Sequence, residues 1–312
     1  MHLTFLQAVV IGLLQGVTEW LPISSLGHSV LVPALIGGSW HQLVTQQSAS
    51  ESPYLAFIVG LHVATALALL VLFWRDWVRI IRGFFRTLAT RRIETAEEKL
   101  AWLIVLGTIP AGITGIALEH VFRTVFAKPL AAAVFLTCNG GILLAAERLR
   151  GRAERRAKTL TSAPAGAEAS ESGEQRQDDP VALDREIVGR LSFADAVIIG
   201  VFQVGALLAG ISRSGITMAA GLFRGLTHEQ AVRFAFLLAT PIIFAAGVYK
   251  LPDLFGPLGR GIRPQVLAGS AAAFCAAFVS AALMVRWFRT RTLRPFAVYC
   301  LLMGVACILY FR

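Results

Sequence analysis

Residues 3–38 read LTFLQAVVIGLLQGVTEWLPISSLGHSVLVPALIGG, an apolar stretch from Leu3 to Trp20 that meets Leu-Pro-Ile-Ser-Ser and resumes only for Gly27 to Gly38. A helix that crosses a bilayer needs about 20 consecutive apolar residues, and the second piece is far shorter. Two apolar pieces joined by a polar, proline-containing turn predict a re-entrant helix-turn-helix hairpin. Its tip would lie at membrane depth, where irregular backbone survives only inside protein. Residues 193–226, FADAVIIGVFQVGALLAGISRSGITMAAGLFRGL, repeat the plan: Phe193 to Leu208, a break at Gly-Ile-Ser-Arg-Ser-Gly, then Ile216 to Leu226. With an offset of 188, Ile11, Gly12, Gln15, Ile23, Ser24 and Gly27 coincide without a gap with Ile199, Gly200, Gln203, Ile211, Ser212 and Gly215. Six identities in seventeen positions, several of them polar, point to an internal repeat.

Around the hairpins lie six stretches long enough for full spans: about Tyr54 to Trp74, Leu100 to Leu118, Pro129 to Leu149, Glu229 to Tyr249, Gln265 to Trp287 and Pro295 to Phe311. The composition agrees: of 312 residues 56% are hydrophobic and 15% charged, with mean hydropathy +0.66, whereas soluble domains carry roughly 25% charged residues. The formal charge of +10 sits between apolar stretches and not on one folded face, which excludes nucleic-acid binding in favour of cytoplasmic loops. Segments 75–99, 148–190, 224–233 and 286–294 hold 22 of the 29 Lys and Arg, so they are expected inside and both termini outside. Three spans separate the hairpins; an odd number opens the first to the outer face and the second to the cytoplasm, making the repeat an inverted one. The expected fold is therefore an all-α polytopic membrane protein with six full spans and two re-entrant hairpins. Residues 1–149 form the first repeat, 150–191 a disordered cytoplasmic loop and 192–312 the second repeat. The loop is expected because Gly151 to Gly189 is too poor in apolar side chains to offset its ordering entropy. Cys138, Cys275, Cys300 and Cys307 lie in apolar stretches without CxxC spacing and read as packing residues. The start, MHLTFLQ, lacks the basic region of a cleavable signal.

Ionisable side chains at membrane depth default to function. Glu19 alone among the acidic residues sits deep in an apolar segment beside a break, and Gln15, four residues earlier, shares its helical face. Together they offer oxygen ligands for a divalent cation, Mg2+ or Ca2+. Past the break, Ser24 or Ser25 caps the short second helix, whose free amides form an anion site. His28 returns to the same side, so a serine with histidine as base, or the histidine itself, is a candidate nucleophile. The remaining histidines read as structural or interfacial, His62 least clearly. The second break brings Ser212, Arg213, Ser214 and Thr217 to another helix N-terminus. An arginine fork suits a planar oxyanion, and two helix N-termini with one arginine describe a clamp for a lipid-borne pyrophosphate.

At these residues the chain resembles the undecaprenyl pyrophosphate phosphatase, or bacitracin-resistance protein, family. The signature (E/Q)xxxE followed by FLPxSSxGH is matched by QGVTEWLPISSLGHS, residues 15–29, and PGxSRSGxT by AGISRSGIT, residues 209–217. The likeness continues through HVATALA, GTIPAG and FAFLLATPII. Gln15, Leu26 and Ala209 depart from the Glu, Thr and Pro frequent in that family. The resemblance implies Gln15 and Glu19 as the paired metal positions, Ser25 and His28 with Ser24 beside them as catalytic candidates, and Ser212, Arg213, Ser214 and Thr217 as the phosphate-binding set. It further implies hydrolysis of undecaprenyl diphosphate at the outer face of the bacterial cytoplasmic membrane, divalent-metal dependence and a polyprenyl diphosphate substrate; a homo-oligomer is compatible with it. The rival expectation is a polyprenyl-phosphate transporter or flippase, since inverted repeats with broken helices also suit alternating access.

Overall fold

The structure is a computed structural model that describes residues 3–47, 53–126, 128–161, 179–256, 259 and 261–312. Among the described residues every regular element is helical: α1 (Phe5–Trp20), α2 (Ser25–Ile36), α3 (Gly38–Gln47), α4 (Pro53–Leu72), α5 (Trp74–Thr90), α6 (Ala96–Phe126), α7 (Pro129–Thr161), α8 (Pro180–Arg190), α9 (Phe193–Val204), α10 (Arg213–Phe223), α11 (His228–Phe255), α12 (Arg263–Trp287) and α13 (Arg294–Phe311). Ala96–Leu118, Pro129–Ala153, His228–Tyr249, Arg263–Trp287 and Arg294–Phe311 are long and apolar enough to cross a membrane, and they coincide with five of the six expected spans. The sixth falls on α4, which meets α5 at an 86° bend. Helices α8 and α9 form a second bent pair, at 96°. This is a multi-pass helical membrane protein.

The broken helices stop where the sequence puts the polar turns. α1 is 16 residues and α2 only 12; α9 and α10 are 12 and 11, too short to cross. Each first half-helix lies against a full span at a glycine pair. A Cβ on Gly12 of α1 would stand 2.2 Å from the carbonyl oxygen of Gly269 on α12, and a Cβ on Gly200 of α9 would stand 2.2 Å from that of Gly107 on α6. The same backbone-to-backbone approach is thus made twice, at positions 188 apart in the first member of each pair. The end of α1 is anchored by Trp20, fully buried edge-on against Phe236 of α11 at 5.3 Å.

The stretch 150–191 is more ordered than expected. α7 continues to Thr161, and Pro180–Arg190 forms α8; residues 162–178 lie outside the described residues. Asp179 caps α8 by accepting from the Val181 amide, Pro180 opens the first turn, and Ile187 is fully buried. Asp184 is buried too, held by a forked pair of hydrogen bonds from Arg233 Nε and Nη2 at 2.7 and 2.9 Å. Averaging composition over the whole segment hid this short amphipathic piece. Arg233, read as a loop residue, is itself buried and also pairs with Asp76 of α5 at 3.1 Å. Cys300 and Cys307 are buried packing residues, but Cys138 and Cys275 are exposed on their helices, so packing does not describe them.

Candidate active site

The first break is a turn that α1 cannot continue. Leu21 and Ser24 leave the helical region, Ser24 at φ 70°, a left-handed conformation that costs a serine of order 1–3 kcal/mol. What holds it there is the cap: the Gly27 amide donates to Ser24 Oγ at 3.2 Å. On the last turn of α1, Gln15 and Glu19 are both buried, and Gln15 Nε2 donates to Glu19 Oε2 at 2.7 Å, as their i,i+4 spacing requires. From the first turn of α2, Ser25 Oγ donates to the same oxygen at 2.5 Å. His62 reaches in from α4 with Nε2 3.8 Å away. Its Nδ1 lies 2.9 Å from the Ile58 carbonyl and must be the protonated nitrogen, which turns Nε2 toward the carboxylate. One carboxylate oxygen thus gathers groups from three helices.

The second break meets the first directly. Gly210 sits at φ 115°, and a Cβ there would lie 2.4 Å from the Ala132 carbonyl oxygen, so only glycine fits. Its amide donates to Ser24 Oγ at 3.2 Å. Ser212 caps α10 by accepting from the Gly215 amide at 3.1 Å. Ser212 and Ser214 both turn to the Leu21 carbonyl at 3.3 and 3.2 Å and lie 3.0 Å from each other. Asn139, on α7 and fully buried, completes the seam: its Nδ2 donates to the Pro22 carbonyl and its Oδ1 accepts from the Ser212 amide, each at 3.0 Å. An apolar span thus carries one amide that satisfies a freed backbone group of each break, as unwound segments in a membrane require.

Three polar atoms around this seam have no protein partner: Gln15 Oε1, Arg213 Nη1 and Thr217 Oγ1. Nine in ten or more buried polar groups are hydrogen-bonded in folded proteins. Arg213 and Thr217 belong to the start of α10 and Gln15 to the end of α1, so unpartnered polar groups stand on both broken helices, open to something that supplies the partners. Arg213 opens α10 and is half-buried. For a divalent cation, the fit lies in the oxygen chemistry. Glu19 offers a carboxylate and Gln15 Oε1 a buried unpartnered oxygen, while no group of three or more His, Cys, Asp or Glu gathers among the described residues. Such a set suits a hard cation that fills its remaining positions with water and phosphate oxygens.

The expected site residues Gln15, Glu19, Ser24, Ser25, Ser212, Arg213, Ser214 and Thr217 all lie on these two breaks, and hydrogen bonds join most of them. The serine–histidine pair is not made. His28 Nδ1 lies 2.7 Å from the Ser24 carbonyl and Nε2 2.8 Å from the Tyr299 hydroxyl, with the two rings stacked at 5.8 Å. Since the carbonyl can only accept, Nδ1 carries the proton and Nε2 accepts from Tyr299 of α13. One helical turn separates Ser25, which leans onto α1, from His28, which leans onto α13. Sequence reasoning missed Asn139, His62 and Tyr299. A polar Asn139 inside an apolar span was a signal; nothing local marked Tyr299. His228, in contrast, is structural, bridging Glu147 at 2.6 Å and Arg150 at 2.8 Å.

The chain matches the family model "Bacitracin resistance protein BacA" over residues 8–306. It is 56% identical, over all of this chain and 99% of the relative, to a protein of Frankia alni named Undecaprenyl-diphosphatase 2. It is 57% identical over 99% of this chain and 98% of the relative to the Undecaprenyl-diphosphatase of Mycolicibacterium paratuberculosis. A protein of that name from Granulibacter bethesdensis is 37% identical, covering 97% and 95%. With both breaks, their capping serines, Glu19 and Arg213 inside the matched region, the chain belongs to the bacitracin resistance protein BacA family.

Proposed function

We propose that this protein hydrolyses undecaprenyl diphosphate to undecaprenyl phosphate and inorganic phosphate, returning the lipid carrier to peptidoglycan synthesis and conferring bacitracin resistance. The observation that carries it is the meeting of a serine–carboxylate pair, Ser25 on Glu19 at 2.5 Å, with unpartnered Arg213 Nη1 and Thr217 Oγ1 across the seam. A transporter needs the clamp but has no use for the pair.

In the proposed reaction the diphosphate lies over the two helix N-termini, with its tail in lipid. Arg213, Thr217 and the exposed amides of α2 and α10 hold its oxygens and balance the charge that develops at phosphorus. Ser25 Oγ attacks the terminal phosphorus while its proton passes to Glu19 Oε2. The bond to the bridging oxygen breaks as Glu19 passes that proton to it, so undecaprenyl phosphate leaves with the oxygen and the proton and Glu19 is a carboxylate again. Water, deprotonated by Glu19, then attacks the phosphoserine; Oγ departs with a proton and phosphate is released. His62 Nε2 faces the carboxylate that accepts and returns the proton, and His28 fixes the α2 turn through the Ser24 carbonyl. Gln15 Oε1 and the second Glu19 oxygen would hold a divalent cation, which when bound screens the diphosphate charge. The site is read as opening to the outer face of the bacterial cytoplasmic membrane; the concentration of Lys and Arg in segments 75–99, 148–190, 224–233 and 286–294 supports that reading.

The test is phosphate release from a detergent-solubilised polyprenyl diphosphate by the purified protein, with Ser25→Ala, His28→Ala and Arg213→Ala, with and without EDTA. Release by the parent protein, loss in Ser25→Ala and Arg213→Ala, and a phosphoryl group trapped on Ser25 in His28→Ala are the expected results. No release from folded parent protein overturns the activity, and a phosphoryl group on His28 overturns the assignment of the nucleophile.

A further inference from the structure

We propose that α5 and the outer side of α6 form a binding site for one anionic phospholipid of the cytoplasmic leaflet, its headgroup at the α5 arginines and an acyl chain in the groove between the two helices. The site shares no residue with either chain break and does not depend on the hydrolytic reading. It starts from direction. α4 ends at Leu72 and α5 departs at 86°, so a 17-residue helix lies across the end of a span and does not extend it.

Helix α5 has three faces. Asp76, Ile80, Gly83 and Thr87 are buried against the protein. Val78, Ile81, Phe85 and Leu88 form a second stripe, 36%, 48%, 63% and 51% exposed. Arg75, Arg79, Arg82 and Arg86, spaced by four, three and four residues, form a third. A helix with an uncovered apolar stripe on one side and a basic stripe on another lies in the plane of a membrane interface. Trp74, with Arg75 over its ring at 5.4 Å, marks that level. Arg79 and Arg86 already meet carboxylates, Asp76 and Asp184 for one, Glu94 and Glu98 for the other. Arg75 and Arg82 are exposed and supply the positive charge that a lipid phosphate would meet.

On the apolar side of α5, the groove between α5 and α6 has a volume of about 780 Å³ and an almost wholly apolar lining, including Ile81, Phe85, Ile109, Ile113 and Ile116. Gly112 forms part of its wall, and a Cβ there would meet nothing within 4 Å. From Ala101 to Ile116 the wall runs about 22 Å along α6 at 1.5 Å per residue, long enough for most of an acyl chain. A basic stripe flanking the exposed apolar one, whose Ile81 and Phe85 line the trough, selects a lipid with a negative headgroup, and the anionic lipids of the cytoplasmic leaflet are the ones that face juxtamembrane arginines.

The full-length protein in phosphatidylcholine nanodiscs doped with phosphatidylglycerol, read by native mass spectrometry for retained lipid, tests this. The parent chain is expected to retain one phosphatidylglycerol in preference to phosphatidylcholine. Arg75→Gln and Arg82→Gln should each weaken that retention about fivefold. Gly112→Phe, which fills the groove without a clash, should abolish it while leaving the thermal midpoint and the headgroup arginines intact. Leu302→Phe, on the exposed side of α13, should change nothing. Equal retention of both lipids, retention unaffected by Gly112→Phe, or a polyprenyl phosphate in place of the phospholipid when membranes of the producing cell are analysed would each overturn the proposal.

Discussion

At the first chain break Ser24 caps α2 by accepting from the Gly27 amide at 3.2 Å; at the second, Ser212 caps α10 by accepting from the Gly215 amide at 3.1 Å. The backbone device is the same, at equivalent positions 188 residues apart. What it carries differs position by position. Glu19 answers to Leu207, Ser25 to Arg213 and His28 to Ile216. The first break therefore holds the carboxylate and the hydroxyl, the second the guanidinium. Each N-terminus presents free amides to an anion, but neither alone could both bind a diphosphate and activate a nucleophile against it. The conformations differ too: Ser24 is held at φ 70° and Ser212 at φ −80°. Strain is thus confined to the break that carries Ser25, where a fixed position of the hydroxyl matters most. In the proposed mechanism the two capped turns both bind the anion, and the side chains that differ between them make only the first a source of the nucleophile.

The division of labour between the breaks can be broken from either side. Arg213→Ala, at the binding break, is expected to slow phosphate release by about a thousandfold or more, because an arginine aimed at transferring phosphoryl oxygens is worth that much. Ser25→Ala, at the reactive break, should cost at least a comparable factor but leave diphosphate binding measurable by competition, whereas Arg213→Ala should lose both. If Ser25→Ala also abolished binding, the separation of roles would fail. Arg213→Lys should recover only part of the loss, since an ammonium lacks the planar fork.

The seam between the breaks is the next point of attack. Asn139→Ala leaves the Pro22 carbonyl and the Ser212 amide unpaired in the buried interior, with about 1–3 kcal/mol expected for each. Both breaks should lose order together, seen as lower thermal stability and lower turnover in the same variant. Asn139→Asp, which can still accept from Ser212 but cannot donate to Pro22, should affect the first break alone. Gly12→Ala and Gly200→Ala then ask whether the two half-helices are seated alike. Each puts a Cβ 2.2 Å from a facing carbonyl oxygen, and each should destabilise by about 1–3 kcal/mol; a large difference between them in thermal unfolding would show that the repeats are not equivalent in packing. Ser24→Ala removes the cap while keeping a left-handed non-glycine residue, and should cost about 1–2 kcal/mol more than the matching Ser212→Ala. Equal effects at the two caps would mean that the strained turn is not held by its hydroxyl.

Much of this was legible in the chain before any coordinates. The breaks at Leu-Pro-Ile-Ser-Ser and Gly-Ile-Ser-Arg-Ser-Gly stand out because polar turns in apolar stretches have no other reading, and five spans follow from length and hydropathy alone. Gln15 and Glu19 share a helical face by spacing, and the serine caps follow from their place at helix starts. The ends of the stretch 150–191 were misjudged because an eleven-residue amphipathic helix disappears in an average over its polar surroundings. The pairing of Ser25 with His28 was misjudged for a geometric reason: proximity in sequence suggested contact, but one turn of helix points them at different neighbours.

The sequence by itself determined the membrane class and the two half-helix turns, and it singled out Glu19, Ser24, Ser25 and Arg213 as candidates, because periodicity, length and the cost of charge at depth are local properties. The tertiary structure alone decided that Ser25 donates to Glu19, that His28 rests between the Ser24 carbonyl and Tyr299, that His62 faces the carboxylate and that Asn139 ties the breaks together. Those contacts join residues from five helices, and a hydrogen bond between distant segments depends on how the helices pack, which no local pattern in the chain encodes.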